Sequence, residues 1–218
     1  MARIEVTLFV EVQSSWCFWF EPAWAVLKER YRDTAHFGWE IALMPTAAFP
    51  SSREQCDVFY RRSGVALQSD FMLNSAWLEE ELAGDYSISN YVAEAGKDFG
   101  VEGDALRVAL ARAALVDGRK IGRIDEAVAV ATAECGLDAG ALKEKALSAA
   151  IRERVEQSTQ KFHALQIDQR PSVLIVSDIG DRALFSGVVR IEPLVATIEA
   201  MLKDRRAYAS YRAHYGEI

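Results

Sequence analysis

Residues 4–10, Ile-Glu-Val-Thr-Leu-Phe-Val, form a short β-branched and aromatic run, and an apolar, tryptophan-rich stretch from Trp19 to Leu27 follows after a brief polar turn. The first run has the length and composition of a buried strand. The second reads as the opening of a helix over roughly 18–31, with Glu21 and Pro22 in its first turn, where both are favoured. Between them lies Glu11-Val12-Gln13-Ser14-Ser15-Trp16-Cys17-Phe18. A turn in that position stands at the positive end of a helix dipole, which can stabilise an anion or a thiolate. Ala35 to Leu43 reads as a second strand, stopped by Pro45. Strand, helix and strand in that order imply a parallel unit with a right-handed crossover.

Residues 52–166 carry helical periodicity almost throughout. Ser52 is the expected cap for 53–62, a segment at about 67–82 holds Trp77 and Glu79-Glu80-Glu81, and Ser89 or Asn90 is the expected cap for 90–99. Further helices are expected at 104–116, 123–134, from Asp138 to Ala146, and at 148–165. Strand character returns at Ser172–Val176, and a turn at 177–181 leads into a strand at Arg182–Ser186. A last helix is expected over 191–203, and the tail places Tyr208, Tyr211 and Tyr215 at helical spacing. The order βαβ, helical block, ββα is that of an α/β thioredoxin fold with an all-helical insertion. Residues 1–51 and 167–218 would supply the two halves of the thioredoxin-like domain and 52–166 the insertion. Another α/β domain with a mixed sheet is the alternative.

A net charge of −7 argues against a general nucleic-acid binder. No apolar run reaches the length of a membrane span, and Glu5 and Glu11 interrupt any signal-peptide core, so a cytoplasmic protein with reduced thiols is expected. Cys17, Cys56 and Cys135 are too widely spaced for a disulfide framework or a zinc motif, and His36, His163 and His214 are scattered, so no metal site is expected. A Cys17–Cys56 pairing stays open.

The turn resembles the Asp-x-x-Cys-Pro-Trp-Cys-Tyr stretch of cytoplasmic DsbA-like thiol-disulfide oxidoreductases. It is equally similar to the Asp-x-x-Ser-Pro-Tyr-Ser stretch of kappa-class glutathione transferases and 2-hydroxychromene-2-carboxylate isomerases. Leu106 through Asp138 resembles that superfamily's insertion, Arg170-Pro171-Ser172 falls where it carries a cis-proline, and Phe185-Ser186-Gly187 with Arg190-Ile191-Glu192 resembles the kappa-class strand-to-helix turn. Three departures stand out. Ser14 occupies the nucleophilic cysteine's position, Ser15 replaces the family's proline, and Val189 stands where the kappa class has an aspartate that helps hold glutathione.

The resemblance implies Ser14 and Cys17 as the catalytic pair and Ser15, Trp16, Arg170 and Pro171 as substrate contacts. A serine hydroxyl cannot form a mixed disulfide. It can donate a hydrogen bond to a bound thiolate, with glutathione as co-substrate; alternatively Ser14 is only a helix cap. Cys17 is a lone reactive thiol or a small buried hydrophobe. Pro171 is a cis-proline exposing the backbone before it, or a trans proline opening an edge strand; Arg170 beside it would attract a carboxylate or thiolate. Trp19, Trp24 and Trp39 are expected between the first helix and the sheet. Three readings follow. The first is a transferase or isomerase that uses a small thiol at Ser14, and the second a thiol-disulfide oxidoreductase relative working through Cys17. The third is a non-catalytic module that binds a peptide across the Pro171 edge, with the tyrosine face serving assembly or, more commonly for such a face, docking the tail; a homodimer is one partner arrangement.

Overall fold

The β1 strand (Ile4–Val10) holds an interior position in a four-stranded sheet of order β2-β1-β3-β4. The structure, a computed structural model, describes residues 4–69, 71–74, 82 and 85–216. β1 pairs in parallel with β2 (Ala35–Ile41), from Ile4 opposite Ala35 to Val10 opposite Ile41. On its other side it pairs antiparallel with β3 (Ser172–Val176), Phe9 standing opposite Ser172. β3 continues antiparallel into β4 (Arg182–Ser186). This mixed four-stranded sheet is the thioredoxin arrangement the element order implies. The expected second strand ends two residues early, because the carbonyls of Ala42 and Leu43 are taken by the Arg170 guanidinium and the Leu43 amide by Thr159 Oγ1.

Helix α1 (Ser15–Tyr31) starts earlier than expected, so Pro22 lies inside it rather than in its first turn. It buries Phe20, Trp24 and Leu27 against the sheet. Trp24 packs edge-on to Phe37 of β2, ring centroids 5.2 Å apart. Trp19 departs from expectation: its indole N–H donates to Ser63 Oγ and its ring lies 5.2 Å from Phe71, so it faces the helical segment.

Among the described residues, the α-helices between β2 and β3 are α2 (Arg53–Ala66), α3 (Ile88–Gly96), α4 (Ala105–Leu115), α5 (Ile124–Cys135), α6 (Ala139–Ala146) and α7 (Ala149–Ala164). Ser52, Asp138 and Ser148 cap α2, α6 and α7 by accepting a main-chain N–H. Half of the helix expected over 67–82 lies outside the described residues, Trp77 and Glu79-Glu80-Glu81 included; in the described part, 67–69 form a turn after α2 and 71–74 are irregular. Ser89 and Asn90 do not cap α3 but sit inside it, fully buried.

The α1–α4 junction is ionic. Arg107, 2% exposed, pairs with both Glu21 and Asp104, and Asp104 also accepts from Lys28 and the Trp24 indole. Each charge in this set has a partner, as a buried ion requires. Helix α8 (Glu192–Tyr215) runs twelve residues past the expected end at 203. Its last three turns contain no Gly or Pro until Gly216 and carry Tyr208, Tyr211 and Tyr215 on one exposed side, as the helical spacing of the tail implies.

Candidate active site

The carboxyl ends of β1 and β2 and the amino end of β3 meet at one edge of the sheet, and the β1–α1 turn sits there. Ser14 is the N-cap of α1: its Oγ accepts from the Cys17 amide at 3.4 Å, and its own amide donates to the Glu11 carbonyl at 3.1 Å. The Arg170–Pro171 peptide is cis. The ladder between β1 and β3 begins at Ser172, so the Arg170 main chain lies beyond it, level with the turn. The Arg170 guanidinium is close enough to Glu11 and Cys17 to interact electrostatically with both. The proline loop and the Ser14 turn are thus neighbours.

Arg170 does not face a ligand. It is 8% exposed, stacks 4.2 Å over the Phe162 ring, and donates to the carbonyls of Ala42, Leu43 and Asp168 at 2.6–2.9 Å. With its donors directed at these carbonyls and its plane covered, it clamps the proline loop to the end of β2. The substrate-contact role expected of its side chain is therefore corrected to a positioning one.

Cys17 lies one turn inside α1 and is 3% exposed. Burial pushes its thiol up to about 12, against the opposing pull of the Ser14 side chain and the Glu11 main chain. Only roughly one part in ten thousand is thiolate at pH 8. Native protein treated with iodoacetamide at pH 8 should therefore leave Cys17 unmodified while half-buried Cys135 reacts first; alkylation of Cys17 at the rate of an unfolded thiol would contradict this. The linkage has a sign. The folded value exceeds the ordinary 9.0, so the folded state holds this proton more tightly. Stability present below pH 9 then falls as pH rises toward 12, at up to about 1.4 kcal/mol per unit. Thermal unfolding across that window should show Cys17→Ala flattening part of the fall. Tyr31, whose phenol is pushed up to about 12 by burial and by its bond to Glu199, and Cys135, whose thiol is pushed up by burial, contribute to the rest.

Beneath the turn is a buried polar network. The Glu11 carboxylate, 1% exposed, accepts from Asn90 Nδ2 at 2.6 Å, the Met44 amide at 3.2 Å and the Gln13 amide at 3.4 Å. Asn90 Oδ1 accepts from the Val12 amide at 3.0 Å. Gln13 Nε2 donates to Ser89 Oγ and the Tyr86 carbonyl. Burial raises the Glu11 carboxyl above its ordinary value, and these donors, with Arg170, offset only part of that. The site turn is thus fastened to α3.

Ser14, Ser15 and half-buried Trp16 line a small cleft of about 80 Å³, together with Gln13, Met44, Phe49 and Tyr60. The last three were not singled out in the sequence. The signal that could have found them is position: Pro45 and Pro50 bracket a loop leaving the carboxyl end of a parallel strand, where open α/β sheets bind their ligands.

The sequence matches the profile of the DSBA-like thioredoxin domain over residues 5–199. The chain belongs to the DSBA-like thioredoxin domain family. No curated protein matches it. Among solved structures, the cytosolic disulfide reductase DsbM from Pseudomonas aeruginosa is similar at 14% identity and TM-score 0.69, covering 91% of this chain and 98% of DsbM; it has also been solved with GSH. DsbA from the same organism shares 16% identity at TM-score 0.63, over 95% of this chain and 87% of that one. A 2-hydroxychromene-2-carboxylate isomerase shares 15% at TM-score 0.61, over 94% and 98%. At these identities the likeness is one of fold. Within the DSBA-like frame, the turn of this chain offers one buried thiol and no second cysteine.

Proposed function

We propose that this DSBA-like domain binds a small thiol at Ser14 without exchanging disulfides, as the thiol-using half of a transferase or isomerase reaction, with glutathione as the first candidate co-substrate. The observation that carries the reading is the pairing of a hydroxyl at the N-cap of α1 with a buried, high-pKa sulfur behind it. A disulfide cycle needs an attacking thiolate, and Cys17 is protonated and covered. The Ser14 hydroxyl can rotate to donate to a ligand sulfur, and the helix dipole favours that sulfur as thiolate. The Arg170 main chain lies outside the β1–β3 ladder, level with the Ser14 turn, which is where an extended ligand backbone would pair. The GSH-bound DsbM structure supports the choice of first probe.

Calorimetric titration of glutathione into the parent and Ser14→Ala tests this. Binding to the parent is expected, with a 10- to 100-fold loss in Ser14→Ala, as for removal of a hydrogen bond to a charged group. Equal affinities would assign Ser14 to capping alone.

A further inference from the structure

Gln13 is 2% exposed and lines the cleft at Ser14. Its side-chain amide is held by one end: Nε2 donates to the Tyr86 carbonyl at 3.3 Å and to Ser89 Oγ at 3.2 Å. A carbonyl oxygen can only accept, so the amide nitrogen must be the atom that faces Tyr86, and the amide oxygen takes the other place. Among the described residues nothing donates to that oxygen, Oε1, although it is shut off from bulk water. The same network gives the Glu11 carboxylate three donors and Gln13 Oε1 none. A buried acceptor without a donor costs about 1–3 kcal/mol, so folded proteins keep few of them.

The cleft restricts what can bring that donor. Among the described residues, no Asp, Glu, Lys, Arg or His lines it; Met44, Ala48, Phe49, Pro50 and Phe59 make its apolar wall. A charged group entering it would give up water without gaining a counter-charge, whereas a neutral N–H or O–H gives up far less. Residues 168–172 do not line it either, so a thiol ligand paired with the Arg170 main chain leaves it open. Its volume of about 80 Å³ is that of roughly two or three waters. That is room for the polar end of a small molecule, with the remainder lying against Phe49 and Phe59.

We propose that Gln13 selects the second substrate of this site: a small, uncharged, largely apolar molecule that enters the Ser14 cleft with one hydroxyl or amide N–H and donates it to Gln13 Oε1. That the molecule is a substrate rests on the thiol-binding reading of Ser14; its recognition by Gln13 stands without it. Gln13 is then a specificity-determining residue, one position before the hydroxyl that receives the thiol.

Titration of the ¹⁵N-labelled chain followed by amide NMR tests it, because the shifts give both affinity and place. Phenol and fluorobenzene have nearly the same shape and differ in the donor; benzyl alcohol and benzylammonium differ in the charge. Glutathione is titrated in parallel. Phenol is expected to bind about tenfold more tightly than fluorobenzene, as for one hydrogen bond to a buried acceptor, with the largest shifts at residues 13–16. Benzyl alcohol should bind at least about tenfold more tightly than benzylammonium. Gln13→Met keeps the length of the side chain, removes the acceptor and should bring phenol and fluorobenzene within about twofold of each other. The ligand series on the parent chain decides the matter even if that variant does not fold. Equal affinities for phenol and fluorobenzene, preference for benzylammonium, or shifts centred away from residues 13–16 overturn the proposal, and glutathione binding in the same experiment would leave the Ser14 reading standing. Phenol selectivity that Gln13→Met abolishes, with no glutathione binding, keeps the role of Gln13 and removes the thiol reading.

Discussion

Ser14→Cys should turn this chain into a working dithiol oxidoreductase. The substituted position is the N-cap of α1, and its side chain already reaches the Cys17 amide. A thiol there would meet the orphan N–H groups and positive dipole end that lower thiol pKa values elsewhere. Cys17, inert alone, would become the resolving sulfur of a Cys-x-x-Cys pair. Under mild oxidant, mass spectrometry should find a single intramolecular disulfide between positions 14 and 17. Insulin reduction by the variant with dithiothreitol should exceed the parent rate by at least about 100-fold, since the parent has no exchangeable pair at this turn. A variant that stays reduced, or forms only intermolecular disulfides, would show that the two side chains do not share the geometry described.

Glu11→Ala should be the most destabilising substitution at the site. It removes the acceptor for three donors, from Gln13, Met44 and Asn90, in a place water does not reach. Each buried donor left unpaired costs about 1–3 kcal/mol, and the longer two of these bonds sit at the low end, so a loss of about 3–5 kcal/mol is expected in urea unfolding. Glu11→Gln keeps the shape and one oxygen and should cost less. Its deficit should also shrink with rising pH. The folded-state pKa of Glu11 is raised above 4.5, so the parent gives up stability as pH climbs through that raised value, and glutamine does not titrate. A Glu11→Ala loss below about 1 kcal/mol would mean that α3 does not hold the turn.

These two residues mark the boundary of what the sequence made legible. The strands at 4–10 and 172–176 are legible because Val, Ile and Leu crowd short runs, and the one at 182–186 because a turn at 177–181 sets it up as the second arm of a hairpin. The position of Ser14 at the head of α1 was readable from the turn motif. Long-range bonding was not. Ser89 and Asn90 are good cap residues by type, yet the fold spends their hydrogen bonds on Gln13, Val12 and Glu11, about 80 positions away. Its place before Pro171 marks Arg170 as a ligand contact; nothing local shows that Phe162 and three distant or turn carbonyls enclose it. In the last turns of α8 the spacing of Tyr208, Tyr211 and Tyr215 is helical, but that face is exposed, so no buried apolar stripe marks where the helix ends.

The most direct measurement is a crystal structure of the chain with glutathione, the ligand sulfur located by its anomalous signal. The account predicts that sulfur at hydrogen-bond distance from Ser14 Oγ, about 3–3.5 Å, with Cys17 still a free thiol behind it. Sulfur bonded to Cys17, or a ligand seated away from the β1–α1 turn, would contradict it.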